Sequence, residues 1–465
     1  MSGDGLQAAL REAVGAAELL SGAVIEPRYH TDLRGQPRPR PAFVVRPANT
    51  DEVAAVLRAA QRFATPVTTQ GGRTGVVGGA DAEAHGIVLS LERMNRILDL
   101  DPASMTMTLE AGCILQTAQE QAESQGLLLP LDLGARGSAT VGGNIATNAG
   151  GVRVLRWGMM RDMVLGLEAV LADGTILSGL RKIIKDNAGY DLKQLLIGSE
   201  GTLGVVTKAV LRLRPMPTST QTALVAVPRF AHAITLLRRL EGALAGTLSS
   251  FEVMWDDFYT LTTTVNAAKQ SAPLPPGAPF YVLAEAMGAE PERDAARFES
   301  VLADALADGL GTDAVIAQSE AERQRLWAVR EDLNAPMARL WPLFAFDVSV
   351  PVAEMEAFVD EAKACVGIIF PDSRFVTYGH IGDGNLHLMV GVGRADADAH
   401  HAVDTAIFKT VRHFNGSISA EHGIGTAKRD YIGYSRTPAE LALMKTIKTA
   451  MDPAGILNPG KLLPA

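Results

Sequence analysis

Apolar and polar positions along the chain follow two periods that exchange places many times. Leu6, Leu10, Val14, Ala17 and Leu20 share one face at helical spacing, which predicts a helix over 6–22. Short apolar runs then alternate with amphipathic stretches: a strand over 42–46, a helix over 51–63 opened by Thr50 with Asp51 and Glu52 in its first turn, and a strand over 66–70. Strands over 86–91 and 106–110, a helix over 114–125, a hairpin 165–178 turning at Asp173-Gly174, and a strand over 205–213 complete the first half.

Beyond Pro215 and Pro217 the alternation becomes longer. Strands are predicted over 222–228, 248–254, 279–286, 313–317 and 344–350, with helices over 231–244, 291–308, 320–341, 352–366 and 398–414, and a hairpin over 374–392. This pattern predicts an antiparallel sheet with helices on one face. The tail, 419–465, begins Gly-rich, reads as a helix over 438–451 and ends Asn458-Pro459-Gly460-Lys461. Four segments follow: an N-terminal helix and linker (1–40), a first domain (41–217), a second domain (218–418) and a C-terminal segment (419–465).

The stretch 131–151, LDLGARGSATVGGNIATNAGG, fits neither period and carries only two charges, Asp132 and Arg136. It can bring backbone N–H groups and small hydroxyls close to a flat or phosphorylated ligand, because glycine lacks a Cβ. Similar clusters stand at 71–79 and 198–204. None of them is GxGxxG, so a Rossmann site has no support, and Leu462 stands where a P-loop needs Ser or Thr. Three such clusters converging on one ligand read as a site for a dinucleotide cofactor of non-Rossmann type.

Composition narrows this further. A chain of 465 residues exceeds the roughly 250–300 residues of one core, so more than one domain is expected. A net charge of −9 without a basic run argues against nucleic acid. Two cysteines, Cys113 and Cys365, provide neither a disulfide framework nor a thiolate metal cluster. No signal peptide and no run of roughly 18 apolar residues is visible, so a cytoplasmic enzyme without a transmembrane segment is the expectation.

PVTTQGGRTGVVGG (66–79), GSATVGGNIATNAGG (137–151) and KDNAGYDLKQLLIGSEGTLGVVT (185–207) resemble the FAD-binding domain of the vanillyl-alcohol-oxidase/PCMH flavoprotein superfamily. GHIGDGNLH (379–387), SAEHGIGTAKRD (419–430) and MDPAGILNPGKLL (451–463) are similar to its D-2-hydroxyacid dehydrogenase branch, which includes D-lactate dehydrogenases, glycolate oxidase subunits and D-2-hydroxyglutarate dehydrogenases. The resemblance implies an α+β fold. A two-subdomain PCMH-type FAD-binding domain would be joined by a cap domain with a helix-covered antiparallel sheet, and a C-terminal tail would return to the flavin. Carried over by position, Gly71, Gly72, Arg73, Thr74 and Gly75, with Gly78, would wrap the pyrophosphate. Ser138, Gly142, Gly143, Thr147 and Asn148 would line the flavin and ribityl chain. Glu200, Gly201 and Val206 would hold the adenine-side half, and Asn458 would close over the isoalloxazine. No His lies in 66–79, where covalent attachment commonly occurs in the superfamily, so non-covalent FAD is expected.

His380 and His387 flank Ile-Gly-Asp-Gly-Asn-Leu. A two-residue I′ turn at Asp383-Gly384 would pair 382/385, 381/386 and 380/387, setting the two imidazoles directly opposite one another. Such a pair can share a divalent metal, with Glu421 as candidate third ligand. The resemblance implies this His–His–Glu site, with Zn²⁺ or Mn²⁺ binding the hydroxyl and carboxylate of a 2-hydroxy acid. His422 would then be the general base, Arg330 would grip a carboxylate bidentately, and Asn385 would orient the substrate. Lys185 and Tyr190 are further candidates near the flavin or substrate. The chain departs from 2-hydroxyglutarate-using relatives at Ala345, where they carry Lys, at Asn334, where they carry Thr, and at Met389, where Asn is common. The expectation is therefore a D-2-hydroxy acid with a neutral tail, such as D-lactate, with D-2-hydroxyglutarate as the alternative. Electrons would pass to an electron-transfer flavoprotein, a quinone or a cytochrome, and the family suggests a homodimer. Competing readings are a metal-free oxidase of sugars or alcohols, a non-catalytic FAD-binding subunit, and a metallohydrolase.

Overall fold

A computed structural model describes residues 3–36, 38–265 and 272–464. The chain divides into two compact units. The first comprises Met1–Gly151, Gly158–Met216 and Glu421–Ala465; the second comprises Val152–Trp157 and Pro217–Ala420. The N-terminal residues are part of the first unit, and the short segment 152–157 belongs to the second.

The first unit holds a four-stranded sheet, a five-stranded sheet and a two-stranded ribbon. In the four-stranded sheet, Phe43–Val45, Ile87–Ser90 and Val67–Gln70 run parallel, and Leu19–Ser21 adds an antiparallel edge. The helix expected over 6–22 spans Gly3–Val14 and stops at Gly15, whose φ of +83° ends the turn and frees the chain for that edge strand. Helix Thr50–Arg62 begins one residue earlier than expected: Asn49, not Thr50, is the cap, accepting the Glu52 N–H. The five-stranded sheet is antiparallel throughout, and its edge strand Ile97–Asp101, with no fully buried residue, has no counterpart in the apolar pattern.

The C-terminal segment is tied into the first unit through its backbone. Val67 N–H donates to the Ile456 carbonyl, and Asn458 N–H donates to the Val67 carbonyl, so the tail runs beside the strand that leads into the first Gly cluster.

The second unit is built on a seven-stranded, wholly antiparallel sheet. Helices cover both of its faces, where one was expected. On one face Phe230 packs on Trp255 and Phe280, and Phe346 packs on Phe408. On the other, Phe258, Tyr259, Leu326, Trp327 and Leu340 from three helices pack against Leu224, Met254, Tyr281, Leu283, Val376 and Met389. Every residue of strands Leu248–Trp255, Phe280–Gly288 and Asn385–Gly391 is buried, which only two covered faces allow. Helix 320–341 is in fact two helices, Glu320–Glu331 and Asn334–Leu340, because the Asp332 carboxylate accepts the Asn334 N–H and starts the second one.

Candidate functional site

In the first unit the glycine clusters meet backbone to backbone. A Cβ on Gly72 would lie 2.0 Å from the Ser138 carbonyl oxygen, one on Gly71 2.2 Å from Thr140 Oγ1, and one on Gly142 2.6 Å from the Ala111 Cβ. These glycines are demanded by the apoprotein itself. Gly75 differs, since a Cβ there would meet nothing within 4 Å. Gly78 has φ +82°, and its N–H donates to Asp32 Oδ2 at 2.6 Å. Arg73 has φ +57° and stacks over the Tyr29 ring, and burial lowers its pKa. Thr74 is half-buried and Ser138 exposed.

Several candidate cofactor ligands have their side chains engaged by the protein. Thr140 caps the helix Val141–Thr147 by accepting the Gly143 N–H, and Thr147 Oγ1 donates to the Gly143 carbonyl. Asn148, in the left-handed region, ends that helix, and its Oδ1 accepts the Arg161 N–H. Glu200 accepts the N–H groups of Ile424 and Gly425 at 2.7 Å each, and burial pushes its carboxyl up. The Asn458 amide donates to the Gly79 and Glu200 carbonyls and accepts from Lys461 Nζ. Glu200 and Asn458 therefore fasten the C-terminal segment. Gly201 has φ +72°, and a Cβ there would lie 3.7 Å from the Asn458 amide nitrogen; Val206 is buried in its strand. Among the described residues here, Asn144 Nδ2 and, just before the first cluster, Gln70 Oε1 are buried polar atoms without a partner. Open space at Gly75 and an unsatisfied amide at Asn144 are features that a cofactor with a phosphate chain and a polar ring edge fits. Lys185 and Tyr190 lie in the exposed run 181–192, with Tyr190 95% exposed.

In the second unit, sheet register assembles a row of side chains. The hairpin does not have the expected two-residue turn. A 3₁₀ turn, Ile381–Asp383, followed by Gly384 at φ +89°, makes a four-residue loop, so Tyr378, not His380, is opposite His387. The register moves by two residues, and the even shift keeps both histidines on one face. They are diagonal neighbours with ring centroids 5.3 Å apart, one edge-on to the other.

Each histidine has a buried carboxylate directly opposite it on the next strand out. Glu252 pairs with His380, and Asp347 pairs with His387. Glu252 Oε1 lies 2.6 Å from His380 Nδ1, and Asp347 Oδ1 lies 3.9 Å from His387 Nδ1. An ionised carboxylate only accepts, so His380 donates through Nδ1 and its Nε2 edge points away from Glu252. Asp347 Oδ2 also accepts the Ala420 N–H, which fixes the chain one peptide bond before Glu421. Two of the three candidate cation ligands, His380 and His387, thus stand in the second unit, whereas Glu421 and His422 belong to the first. His422 is exposed.

Arg330 comes from helix Glu320–Glu331 above the same face. Its Nε donates to Glu252 Oε2 at 2.8 Å, and its guanidinium carbon sits 4.4 Å above the centre of the Tyr378 ring. Neither Nη group donates to a described residue, which leaves a two-pronged donor at the free edge of the guanidinium. Burial would raise the Glu252 carboxyl, but the charges of His380 and Arg330 hold it below the ordinary carboxylate range. Asn385, on the same face, is 3% exposed, and neither end of its amide has a partner. Beside the His387 row, Ala345, Met389 and Val376 pair across three strands with no cation among them. Asn334 is exposed, at the start of its helix.

Glu252, Asp347 and Tyr378 were not singled out from sequence. Glu252 and Asp347 sit inside otherwise apolar strands, FEVM and FAFDVS, and a lone carboxylate in a strand buried on both faces was the signal to read.

Residues 216–462 match the family described as FAD linked oxidases, C-terminal domain, and residues 41–179 match an FAD binding domain. The chain therefore belongs to the FAD-linked oxidases. Within them it stands in the D-2-hydroxyacid dehydrogenase branch. It is 41% identical over 422 residues to the mitochondrial D-2-hydroxyglutarate dehydrogenase of Bos taurus, covering 90% of this chain and 76% of the relative. It is 39% identical over 458 residues to the D-2-hydroxyglutarate dehydrogenase of Xanthomonas citri pv. viticola, covering 97% and 96%. Among solved structures, p-cresol methylhydroxylase with substrate bound shares the fold at a TM-score of 0.78 and 16% identity, covering 99% of this chain and 97% of that one. Alkyldihydroxyacetonephosphate synthase does so at 0.76 and 19%, covering 99% and 86%. The protein is an FAD-dependent oxidoreductase acting on the CH–OH group of D-2-hydroxy acids. No helix among the described residues is long and apolar enough to cross a membrane.

Proposed function

We propose that the chain oxidises a D-2-hydroxy acid with a neutral tail, D-lactate or a longer 2-hydroxyalkanoate, to the 2-oxo acid. The observation that carries this is the four-strand row Glu252–His380–His387–Asp347 with Arg330 above it and an unpartnered Asn385 within it. Bound FAD, held without a covalent bond, supplies the hydride acceptor, and a divalent cation, Zn²⁺ or Mn²⁺, supplies positive charge that favours ionisation of the substrate hydroxyl. His380, His387 and Glu421 would hold the cation: two imidazoles and one carboxylate suit either metal and leave positions for substrate oxygens. Arg330 binds the substrate carboxylate through its two Nη groups. The Asn385 amide, with both ends unsatisfied, orients the substrate by hydrogen bonds. His422 takes the hydroxyl proton, as a neutral imidazole can near neutral pH. The glycine clusters around 71–79 and 137–151 receive the cofactor through backbone groups.

The neutral tail is supported by the Ala345–Met389–Val376 row, where a second carboxylate would find no counter-charge. D-2-hydroxyglutarate is the second reading, favoured by the activity named for the bovine and Xanthomonas relatives. Steady-state kinetics on both acids with a dye acceptor decide between them. The proposal expects the higher kcat/KM for D-lactate, and a value well above it for D-2-hydroxyglutarate overturns it. Ala345→Lys is expected to move the ratio toward D-2-hydroxyglutarate by about tenfold, the scale of one added charge-assisted contact. Dialysis against EDTA is expected to abolish turnover, and Zn²⁺ or Mn²⁺ to restore it. The proposal extends to a cytoplasmic homodimer that passes electrons to an electron-transfer flavoprotein, a quinone or a cytochrome.

A further inference from the structure

Two carboxylates are buried in the central strands of the second unit, on the face that carries helix Glu320–Glu331, and the groups they hold differ in kind. Glu285, 1% exposed, accepts from Thr222 Oγ1 at 3.0 Å, Trp327 Nε1 at 2.7 Å and Arg323 Nη1 at 3.3 Å. None of these partners belongs to the proposed site, and together they dock the helix on the sheet. Glu252, fully buried, lies on the neighbouring strand, and Arg330 comes to it from the same helix, two turns beyond Arg323. Both groups bound to Glu252 have site roles. Oε1 meets His380 Nδ1 and Oε2 meets Arg330 Nε, one oxygen for each.

We propose that Glu252 is a positioning residue that joins the cation site to the substrate-carboxylate site, holding the His380 ring and the Arg330 fork in one fixed relation. The inference rests on the reading of His380 as a cation ligand and Arg330 as the carboxylate binder. Its physical basis is the shared carboxylate. A hydrogen bond to Nδ1 fixes the histidine tautomer and ring plane and makes the far nitrogen a better ligand. A hydrogen bond to Nε fixes the guanidinium plane, and the Tyr378 ring beneath it blocks rotation out of that plane. One rigid anion thus sets the distance between the group that meets the cation and the groups that meet the substrate carboxylate. A 2-hydroxy acid, whose hydroxyl and carboxylate sit on adjacent carbons, requires such a fixed span.

The test uses the FAD-loaded protein and three variants, Glu252→Gln, Glu252→Asp and Glu285→Gln. Zn²⁺ affinity is measured by competition with a chromogenic chelator, KM and kcat with D-lactate and D-2-hydroxyglutarate, and folding by visible flavin absorbance and Tm. Glu252→Gln is expected to weaken Zn²⁺ binding about 10- to 100-fold and to raise KM for the better acid about tenfold with flavin absorbance retained. Glu252→Asp keeps the charge but is one methylene too short to reach both partners, so at least one of the two quantities moves. It carries the test if the Gln variant does not fold. Glu285→Gln is expected to lower Tm while Zn²⁺ affinity and KM hold. If the wild-type protein binds Zn²⁺ but both Glu252 variants match it within twofold in affinity and KM, the coupling is overturned and the site reading stands. If the wild-type protein binds no Zn²⁺ or Mn²⁺ and is indifferent to chelation, the site reading falls, and the coupling with it.

Discussion

The two units build their sites from opposite materials. In the first, the parts that matter are side chains that are missing: at Gly71, Gly72 and Gly142 a single Cβ would strike the neighbouring segment, and at Gly75 there is open room. The conspicuous polar residues of that unit, Asn148, Glu200 and Asn458, hold the protein together. In the second, the backbone is an ordinary antiparallel ladder, and chemistry comes from side chains placed by register, each histidine backed by a carboxylate on the adjoining strand. The difference teaches where sensitivity lies. Damage to the first unit should cost cofactor or fold, whereas damage to the second should cost turnover while the protein stays yellow.

His422, in the C-terminal stretch of the first unit, is the exception to that contrast, and His422→Ala tests it most sharply. As the proposed base it should lower kcat about 10²- to 10⁴-fold, with flavin absorbance and Tm unchanged. Stopped-flow reduction of the flavin by substrate measures the step directly, and full turnover in the variant would remove His422 from the mechanism.

Gly72→Ala and Gly75→Ala separate the two tasks within the glycine clusters. The Gly72 Cβ would sit 2.0 Å from a backbone oxygen, so the segment must move, at an expected cost of about 3 kcal/mol or more and a matching fall in Tm. Gly75→Ala should leave the unfolding free energy of the apoprotein within about 0.5 kcal/mol of wild type and weaken FAD binding, read by flavin fluorescence. Equal behaviour of the two variants would mean that the cluster serves folding alone.

How much of this was legible from sequence follows from what each feature depends on. Period-two and period-3.6 patterns located strand Thr106–Glu110 and helix Pro438–Met451 to the residue, because burial on a fixed face writes itself into the apolar spacing. The 137–151 stretch announced a ligand by composition, yet its inner helix, Val141–Thr147, was not seen, since glycines carry no period. The shared face of His380 and His387 was foreseen through the wrong turn, and only because an even register error preserves the face. Glu252 was legible only as a lone carboxylate in an apolar strand; its meaning lies in a partner 128 residues away, His380, and another 78 away, Arg330. Long-range pairing of that kind leaves no local trace.

Asn385 offers a smaller and more diagnostic effect. A buried amide with both ends unpartnered costs about 1–3 kcal/mol in the folded chain. Asn385→Leu should therefore leave stability unchanged or raise it by about 1 kcal/mol, measured by chemical denaturation, while kcat/KM falls. A variant that lost both stability and activity would show the amide to be structural.

The smallest effect concerns Lys461, the counterpart in the first unit of buried Glu252. Glu252 has the Arg330 guanidinium and the His380 Nδ1 in contact, and its carboxyl is held below the ordinary range. Lys461 is 3% exposed, and its Nζ meets the Thr68 hydroxyl, the Asp81 carbonyl and the Asn458 amide oxygen, with the Glu83 carboxylate farther off at 3.7 Å. Burial without a close anion pushes its pKa down from 10.5 to about 8. Between those values the unfolded chain binds the proton more tightly than the folded one, so this group makes the protein relatively more stable as pH rises through 8. Below pH 8 the cost of keeping the buried ammonium charged is present in full. The gain between pH 7 and pH 8.5 should be about 0.8 kcal/mol. Lys461→Met removes the titrating group, so the difference in unfolding free energy between wild type and variant should shift by that amount over the interval in favour of wild type. A difference that stays flat from pH 7 to 8.5 would show the ammonium to be as well solvated as a surface lysine, and the tail to be held by its backbone bonds to Val67 alone.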